Sequence, residues 1–246
     1  MAEPRRPALV LCAHGTRDPL GRETVRAVLA AVAERLPEVE VLEAYVDVHG
    51  PEVNEVVAGL PRAQGGGVTG VVVPLLLAAG YHVHVDIAQA VAGRPDVRAT
   101  GALGPDDLLV DVLVERLSTA GAPHAGVVVL APAGSSDARA QADSADMAAR
   151  LEKRWGATVR LGFAAGPAPT VTDAVAAARA SAAGAPVSVA SYLLAPGFFQ
   201  RRLEESGADV VTGPVAPHPL VVDLVLARYR AALQRPGSGS APADGA

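Results

Sequence analysis

Fully apolar runs alternate with segments of helical periodicity along most of this chain. The run 8–13 is apolar at every position, whereas the segment 19–36 places Val25, Val28 and Val32 on one face of a helix. Strands are predicted at 8–13, 39–47, 70–77 and 97–100, and helices at 19–36, 51–60, 82–91 and 105–117. Strands that alternate with helices are typical of a parallel sheet with helices on both faces.

The same order of elements recurs in the second half of the chain. Strands are predicted there at 126–131, 158–164, 187–194 and 209–212, and helices at 137–155, 170–183, 198–206 and 217–233. The repeat predicts an α/β fold of two duplicated domains, 1–120 and 121–235, each a four-stranded parallel sheet flanked by helices. Residues 118–124 form the predicted linker. The tail 236–246 is rich in Pro, Gly, Ser and Ala, so we expect it to be disordered.

Two loops keep their glycines in both halves, but only the first half keeps their histidines. His14 opens the segment His-Gly-Thr-Arg-Asp after the first strand, and its counterpart is Ala133 in Ala-Gly-Ser-Ser-Asp. After the third strand, Gly80-Tyr81-His82 is matched by Gly197-Phe198-Phe199. The second half therefore retains the fold but lacks histidine at both loops. This indicates one active half and one half that is kept for its shape.

His14, Asp47 and His82 each follow a predicted strand of the first half. The carboxyl ends of parallel strands share one edge of the sheet, where ligands bind, so these side chains are expected to converge. Two imidazoles and a carboxylate suit a divalent cation such as Fe²⁺, Co²⁺, Ni²⁺ or Zn²⁺. A single histidine at a strand end is more often a hydrogen-bonded loop residue, but the joint placement and joint loss of these two favour a metal site.

The remaining histidines and the single cysteine are interpreted as structural. His49 lies in a His-Gly-Pro turn and His84 is expected to face solvent from a helix, although both are candidates for assisting the metal site. His124 falls in the linker and His218 at a helix start. Cys12 lies inside the first strand and fits a small core residue.

Arginines near the same loops are candidates for binding an anionic ligand. Arg17 is a plausible partner for a carboxylate, whereas residues 15–18 also fit a capped helix start. Arg201 and Arg202 either supply positive charge from the second half or lie on a solvated helix face.

Composition and charge narrow the class of protein. The 246 residues carry a net charge of −5 with a pI near 5.7, which argues against nucleic-acid or anionic-membrane binding through bulk charge. One cysteine excludes an internal disulfide framework and fits a reducing compartment. No apolar stretch approaches the roughly 20 residues of a membrane span, and no signal-peptide pattern is found. We therefore expect a cytoplasmic protein with neither nucleic-acid nor membrane partners.

The motifs together resemble those of a known enzyme family. His14–Arg17 resembles the His-Gly-Ser/Thr-Arg signature of the class II chelatases, and Gly80–Ile87 resembles their Gly-x-His-Val-x-x-Asp-Ile signature. Ala44–Asp47 resembles the segment that ends in an acidic metal ligand, usually Glu, which here is the shorter Asp47. Within that class the chain is similar to the long, two-domain sirohydrochlorin chelatases of the CbiX/SirB type.

The resemblance implies two chelatase-like domains whose sheets face each other across a cleft. It implies a lyase that inserts Fe²⁺, Co²⁺ or Ni²⁺ as substrate, without an organic cofactor, into sirohydrochlorin for sirohaem or cobalamin synthesis. His14, His82 and Asp47 would bind the metal, and the two histidines would accept the pyrrole protons. The macrocycle would be contacted by Arg17, Tyr81, Phe198, Arg201 and Arg202. Because the duplication is fused in one chain, we expect a monomer.

Other interpretations fit some of the same residues. A non-catalytic metal or tetrapyrrole carrier would keep both histidines without needing them to accept protons. A phosphatase would use a strand-end histidine as acid or base, but only Arg17 and Arg22 supply positive charge near His14. Phe198 and Phe199 also fit core positions, the commoner place for aromatic residues. A metallation assay distinguishes the chelatase from the carrier.

Overall fold

A computed structural model of the chain describes residues 6–63, 67–80, 83–182 and 184–234. It contains a four-stranded sheet in each half, and the strand pairs within both sheets are parallel. The predicted α/β fold with a duplicated parallel sheet is therefore confirmed. The predicted disorder of the tail 236–246 lies outside the described residues.

The two sheets have the same strand order. The first half contributes β1 (Ala8–Ala13), β2 (Val41–Tyr45), β3 (Gly70–Pro74) and β4 (Val97–Ala99), arranged β2-β1-β3-β4. The second half contributes β5 (Val127–Pro132), β6 (Val159–Leu161), β7 (Val187–Tyr192) and β8 (Val210–Val211), arranged β6-β5-β7-β8. The central strands β1, β3, β5 and β7 are buried at every position because helices cover both faces of each sheet.

The helices follow the strands in the predicted order. They are α1 (Pro19–Arg35), α2 (Val53–Gly59), α3 (Ala88–Ala92), α4 (Asp107–Thr119), α5 (Ala138–Trp155), α6 (Val171–Ser181), α7 (Phe198–Glu204) and α8 (Pro219–Gln234). One segment differs from an ordinary helix, since a π-helical turn at Val83–Ile87 leads into α3. That turn lies directly after the predicted ligand loop of β3.

The last helix of each half packs against the sheet of the other half. Helix α4 contacts β7 and α5, whereas α8 contacts β3 and α1. Ion pairs follow the same exchange: Arg150 binds Asp107 at 2.7 Å between α5 and α4, and Arg35 binds Asp223 at 3.1 Å between α1 and α8. Packing therefore crosses the sequence division after residue 120, and the domain boundaries stay a prediction.

One hydrophobic core spans both halves. It includes Leu9 and Leu11 of β1, Leu130 of β5, and buried residues of α1, α4, α5 and α8. The other face of each sheet has a smaller core of its own, which in the first half contains Val10 and Cys12. Cys12 is fully buried, as predicted, and burial raises the pKa of its thiol to about 12.

Candidate metal centre

The ends of β1 and β2 bring His14 and Asp47 together. The two strands pair in register up to Ala13 and Tyr45, and the Asp47 backbone N–H then donates to the His14 carbonyl at 3.0 Å. Both side chains are exposed at the carboxyl edge of the sheet. The structure therefore places two of the three predicted metal ligands side by side at the edge where open parallel sheets bind ligands.

Gly15 allows this close approach of the two loops. Its φ is +100°, and a Cβ added there would lie 2.2 Å from the Asp47 carbonyl oxygen. The second half repeats the arrangement, since Gly134 has a φ of +102° and a Cβ there would lie 1.8 Å from the Ala165 carbonyl oxygen. Only glycine fits either position, so its retention in both halves reflects the backbone.

The loop then ends in a capped helix, as one of the two sequence interpretations predicts. The carboxylate of Asp18 accepts from the Leu20 N–H at 3.0 Å, and the Thr16 hydroxyl accepts from the Asp18 N–H at 3.1 Å. Asp137 and Ser135 make the equivalent hydrogen bonds at the start of α5. Because the second half builds this turn with alanine at position 133, the turn does not require His14.

The Asp47 carboxylate is held by a backbone with an unusual conformation. Its Oδ1 atom accepts from the N–H of Val48 at 2.6 Å, and Val48 has a φ of +70°. A β-branched residue in the left-handed region is strained by roughly 1–2 kcal/mol. The counterpart in the second half is Gly166, which has a φ of +81° without that strain. Nothing in the composition of this turn pointed to Val48 in advance.

The third predicted ligand follows β3, which lies on the other side of β1 from β2. His82 and Tyr81 lie outside the described residues. Within the described ranges, whose gaps include 81–82, no three His, Cys, Asp or Glu side chains form a group that could hold a metal ion. The strand order places β2 and β3 on either side of β1, the strand that leads to His14. Because His82 lies outside the described residues, the convergence of all three ligands stays a prediction.

The π-helical turn after this loop coincides with one extra residue. Gly80 precedes the buried Ile87 by seven positions, whereas Gly197 precedes the buried Leu203 by six. A π-helical turn accommodates an additional residue in a helix, and such turns are frequent at functional sites. The insertion was visible in the sequence as a difference in spacing. Because of this extra residue, Arg201 cannot be matched to a single residue of the first half.

The second half has lost the acidic position as well as both histidines. The Ala165 N–H donates to the Ala133 carbonyl at 2.8 Å, the same hydrogen bond that joins Asp47 to His14. Ala165 is therefore the counterpart of Asp47. The three strand ends that carry His14, Asp47 and His82 in the first half carry Ala133, Ala165 and Phe199 in the second. Sequence comparison found the loss of the histidines and missed that of the carboxylate.

Of the predicted substrate contacts, Arg201 has a partner within the protein. Its Nη1 atom lies 2.8 Å from Oδ2 of Asp18, so the pair joins α7 to the start of α1. The hydrogen bond from Arg201 lowers the pKa of the Asp18 carboxyl. Arg17 and Arg202 are exposed, and the Arg202 guanidinium carbon lies 5.8 Å from the centre of the Phe198 ring.

The aromatic pair after β7 lies at the surface. Phe198 is 62% exposed and Phe199 is 38% exposed, and their ring centres are 5.6 Å apart. The alternative of a core position is therefore wrong for both. Leu20 and Val48 are also exposed and follow β1 and β2 at the carboxyl edge of the first sheet. These four side chains keep apolar surface open to solvent, where a flat, apolar ligand can contact it.

His124, His218 and His49 each contact neighbouring residues. His124 stacks on Trp155 with ring centres 3.9 Å apart, and His218 binds Glu115 at 3.2 Å while accepting from the Leu220 N–H. The Nδ1 atom of His49 lies 2.9 Å from the Gly50 carbonyl, which fits its predicted turn role. A supporting role of His49 or His84 at the metal site stays a prediction.

Surface depressions of about 230 and 270 Å³ lie elsewhere. One is lined by residues that include Arg179 and Asp209, and the other by residues that include Arg6 and Glu38. Both occupy the amino ends of strands, the edge opposite His14. Helices in the described ranges include none long and apolar enough to cross a membrane.

Comparisons with known proteins match both halves of the chain. A model of the CbiX family matches residues 8–120 and 127–232. The sirohydrochlorin cobaltochelatase of Methanococcoides burtonii is 29% identical over 118 residues, which cover 42% of this chain and 88% of that protein. The match to a protein of about half the length agrees with the internal duplication.

Solved structures share the fold along nearly the whole chain. SirB from Bacillus subtilis with Fe³⁺ has a TM-score of 0.75 and 20% identity, covering 93% of this chain and 96% of that one. SirB from Bacillus subtilis subspecies spizizenii in complex with cobalt has a TM-score of 0.72 and 20% identity, covering 94% and 97%. CbiX, the terminal enzyme of siroheme biosynthesis in denitrifying bacteria, has a TM-score of 0.67 and 22% identity, covering 92% and 99%.

Proposed function

Because the chain belongs to the CbiX family over both of its halves, we propose that it is a sirohydrochlorin chelatase, a lyase that inserts a divalent metal into sirohydrochlorin. The observation that carries the proposal is the hydrogen-bonded pair of strand ends that presents His14 and Asp47 together at the ligand-binding edge. The first half supplies the metal-binding side chains. The second half supplies wall and macrocycle contacts.

The residues of the first half suit the chemistry of metal insertion. The macrocycle loses two N–H protons when it takes up a divalent cation, so the site needs bases as well as metal ligands. A neutral imidazole, with an ordinary pKa near 6.5, can bind a borderline cation and accept a proton at cellular pH. His14 and His82 take these two tasks in our proposal. The carboxylate of Asp47 favours both the cation and a protonated imidazole.

Exposed apolar and cationic groups suit a carboxylate-rich tetrapyrrole. The rings of Phe198 and Phe199 lie open to solvent at the edge of the second sheet, where they can contact the macrocycle face. Arg17 and Arg202 are exposed cations that can pair with its carboxylates. Tyr81 keeps its predicted contact role. Arg201 can serve the substrate only by sharing or leaving Asp18, so we assign it the weaker contact.

The finer features of the function follow from the same proposal. The two SirB structures contain Fe³⁺ and cobalt, respectively, and the relative from Methanococcoides burtonii is a cobaltochelatase. We propose Fe²⁺ or Co²⁺ as the metal substrate, with Ni²⁺ as a further candidate and with no organic cofactor. We also propose a cytoplasmic monomer without nucleic-acid or membrane partners.

Metallation kinetics test this function. Purified protein at catalytic concentration is mixed anaerobically with sirohydrochlorin and either Co²⁺ or Fe²⁺, and the change in macrocycle absorbance is followed against a protein-free control. Many turnovers per protein at a rate well above the control are expected. Stoichiometric binding of metal or tetrapyrrole without acceleration would contradict the proposal and identify the carrier instead.

A further inference from the structure

Two hydrogen bonds from the second half hold the backbone that leads to His82. The N–H of Ala79 donates to Oδ2 of Asp143, on α5, at 2.7 Å. The hydroxyl of Tyr192, at the end of β7, donates to the carbonyl of Leu77 at 2.8 Å. Both contacts cross between the halves and reach the short segment between β3 and Tyr81-His82.

The Tyr192 contact is closely packed. Tyr192 is 2% exposed, and a Cβ added at Gly104 would lie 2.1 Å from its hydroxyl oxygen and 2.4 Å from the Leu77 carbonyl oxygen. Burial raises the pKa of the Tyr192 hydroxyl, so it stays protonated and remains a donor. This bond restrains the backbone at Leu77, because breaking it would leave the buried Tyr192 hydroxyl without a partner.

The residues that correspond to Tyr192, Ala79 and Asp143 in the opposite half cannot make the equivalent two hydrogen bonds. By strand register, the counterpart of Tyr192 is Leu75, which has no hydroxyl. The counterpart of Ala79 is Pro196, which has no N–H to donate. The counterpart of Asp143 is Thr24, whose hydroxyl donates within its own helix to the Leu20 carbonyl at 2.9 Å. The first half therefore makes neither hydrogen bond to the loop of the second half.

We propose that Asp143 and Tyr192 are positioning residues, through which the half without histidines fixes the backbone of Leu77 and Ala79, the segment that precedes His82 in the chain. This inference rests on the proposed role of His82 in metal insertion. It gives the second half a task beyond forming a wall. The loop that keeps its histidine is held by polar contacts from the other half, whereas in the loop that lost its histidine the corresponding carbonyl, that of Leu194, accepts from the Ala216 N–H of its own half at 3.0 Å. Displacement of a reacting group by about 1 Å can lower a rate by 100-fold, so anchoring of this kind matters for turnover.

Three variants and one matched control test the proposal in the full chain. Tyr192→Phe removes the hydroxyl, Asp143→Ala removes the acceptor, and Asp143→Asn restores an acceptor oxygen. Tyr229→Phe is the control, because Tyr229 is 3% exposed and also donates to a first-half carbonyl, that of Pro7, at 2.5 Å. Pro7 precedes β1, at the opposite edge from the metal site.

Two readouts separate anchoring from catalysis. The first is hydrogen exchange of the Ala79 amide, which needs neither metal nor substrate. The second is kcat and KM for Co²⁺ insertion, with thermal unfolding as the measure of stability. We expect about 10-fold faster Ala79 exchange and about a 10-fold lower kcat in Tyr192→Phe and Asp143→Ala, with KM little changed. Asp143→Asn should recover most of both, and Tyr229→Phe should change neither beyond its loss of stability.

Two results would overturn the proposal. One is unchanged Ala79 exchange in Tyr192→Phe and Asp143→Ala, because the loop would then not depend on these contacts. The other is a fall in kcat that is equal in Tyr192→Phe and Tyr229→Phe, which would make the hydroxyl merely structural. If the wild-type protein does not insert metal, the proposed function fails and so does the catalytic role of the anchor, whereas the exchange experiment still decides whether the anchor exists.

Discussion

The two halves have the same strand order and the same loop turns, yet they differ where the strands end. In the first half, β1 and β2 end in His14 and Asp47, and in the second the same positions are Ala133 and Ala165. The turns survive this change because glycine and a capping aspartate build them in both halves. Retention of the backbone without the ligands shows that the ligands are not needed for folding.

The second half also makes contacts to the first that the first does not return. Tyr192 and Asp143 bind the backbone of the segment after β3, and Arg201 of α7 binds Asp18. The exchange of α4 and α8 makes each half complete only in the presence of the other. The two halves are therefore unequal parts of one molecule, and matched substitutions in them measure how far their roles differ.

The largest difference in metallation rate is expected between substitutions at His14 and at its counterpart Ala133. His14→Ala should lower the rate of Co²⁺ insertion by at least about 100-fold, because it removes both a metal ligand and a base. Ala133→His should leave the rate within two-fold of wild type, since the second half also lacks the acidic position. Steady-state metallation and thermal unfolding of both variants measure this. An active His14→Ala variant with unchanged kcat would remove the residue from the mechanism.

A large difference in stability is expected between loss of the two ion pairs that lie at the amino ends of β4 and β8. Arg94 binds Asp96 at 2.9 Å with side chains 5% and 12% exposed, whereas the Arg179–Asp209 pair of the second half is 44% and 42% exposed. Asp96→Asn should destabilise the protein at pH 7 by about 3 kcal/mol, the size typical of breaking a buried pair. Asp209→Asn should have a much smaller effect.

The pH dependence of that difference has a defined sign. The hydrogen bond from Arg94 lowers the pKa of Asp96 below its unfolded value. The pair therefore contributes stability above about pH 4, and this contribution is lost as the pH falls and the carboxyl protonates. Urea unfolding from pH 7 to pH 2.5 should show wild type and Asp96→Asn converging in acid. A gap that stays constant with pH would rule out the ion pair as its source.

A smaller effect on activity is expected at the carboxylate. Asp47→Asn should lower the metallation rate about 10-fold, the lower end of the losses seen when a group that supports a metal site is removed. Ala165→Asp should produce no gain, because no histidine stands beside it. Initial rates at several Co²⁺ concentrations distinguish weaker metal binding from slower insertion. A gain of activity in Ala165→Asp would show that the second half keeps a usable site.

The smallest effect is expected at the turn after the carboxylate. Val48→Gly should stabilise the protein by about 1 kcal/mol, because it relieves a left-handed β-branched residue. Gly166→Val should destabilise it by about 1–2 kcal/mol, since a Cβ there meets only the Ser135 nitrogen at 3.9 Å and the backbone alone opposes it. Chemical denaturation measures both. Equal stability of Val48→Gly and wild type would show that the surroundings compensate for the strain.

Much of this architecture is predictable from the sequence because local patterns specify it. Apolar runs such as Ala8–Ala13 predict buried strands, the Asp18-Pro19 pair predicts a capped helix start, and matched motifs predict the duplication. The exchange of α4 and α8 is not predictable in this way. The spacing of Leu109 and Leu113 shows that α4 buries one face, but it does not show which sheet covers that face.

The candidate site is likewise predictable only in part from the sequence. His14 and Asp47 follow strands, so their shared edge follows from parallel topology. The partners of Arg201, Tyr192 and Asp143 depend on how the halves meet, and no local pattern contains that information. Exposure of Phe198 likewise depends on tertiary packing, since the same residue in the same helix would be equally suited to a core.

The position of a bound cation decides whether the first half holds the metal site. Crystals of the full chain soaked with Co²⁺, with diffraction recorded at the cobalt absorption edge, give an anomalous map that shows where the cation lies. We expect one strong cobalt peak at the carboxyl edge of the first sheet, within bonding distance of the His14 imidazole. A peak coordinated by second-half residues such as Asp137 or His218, with no density beside His14, would contradict it.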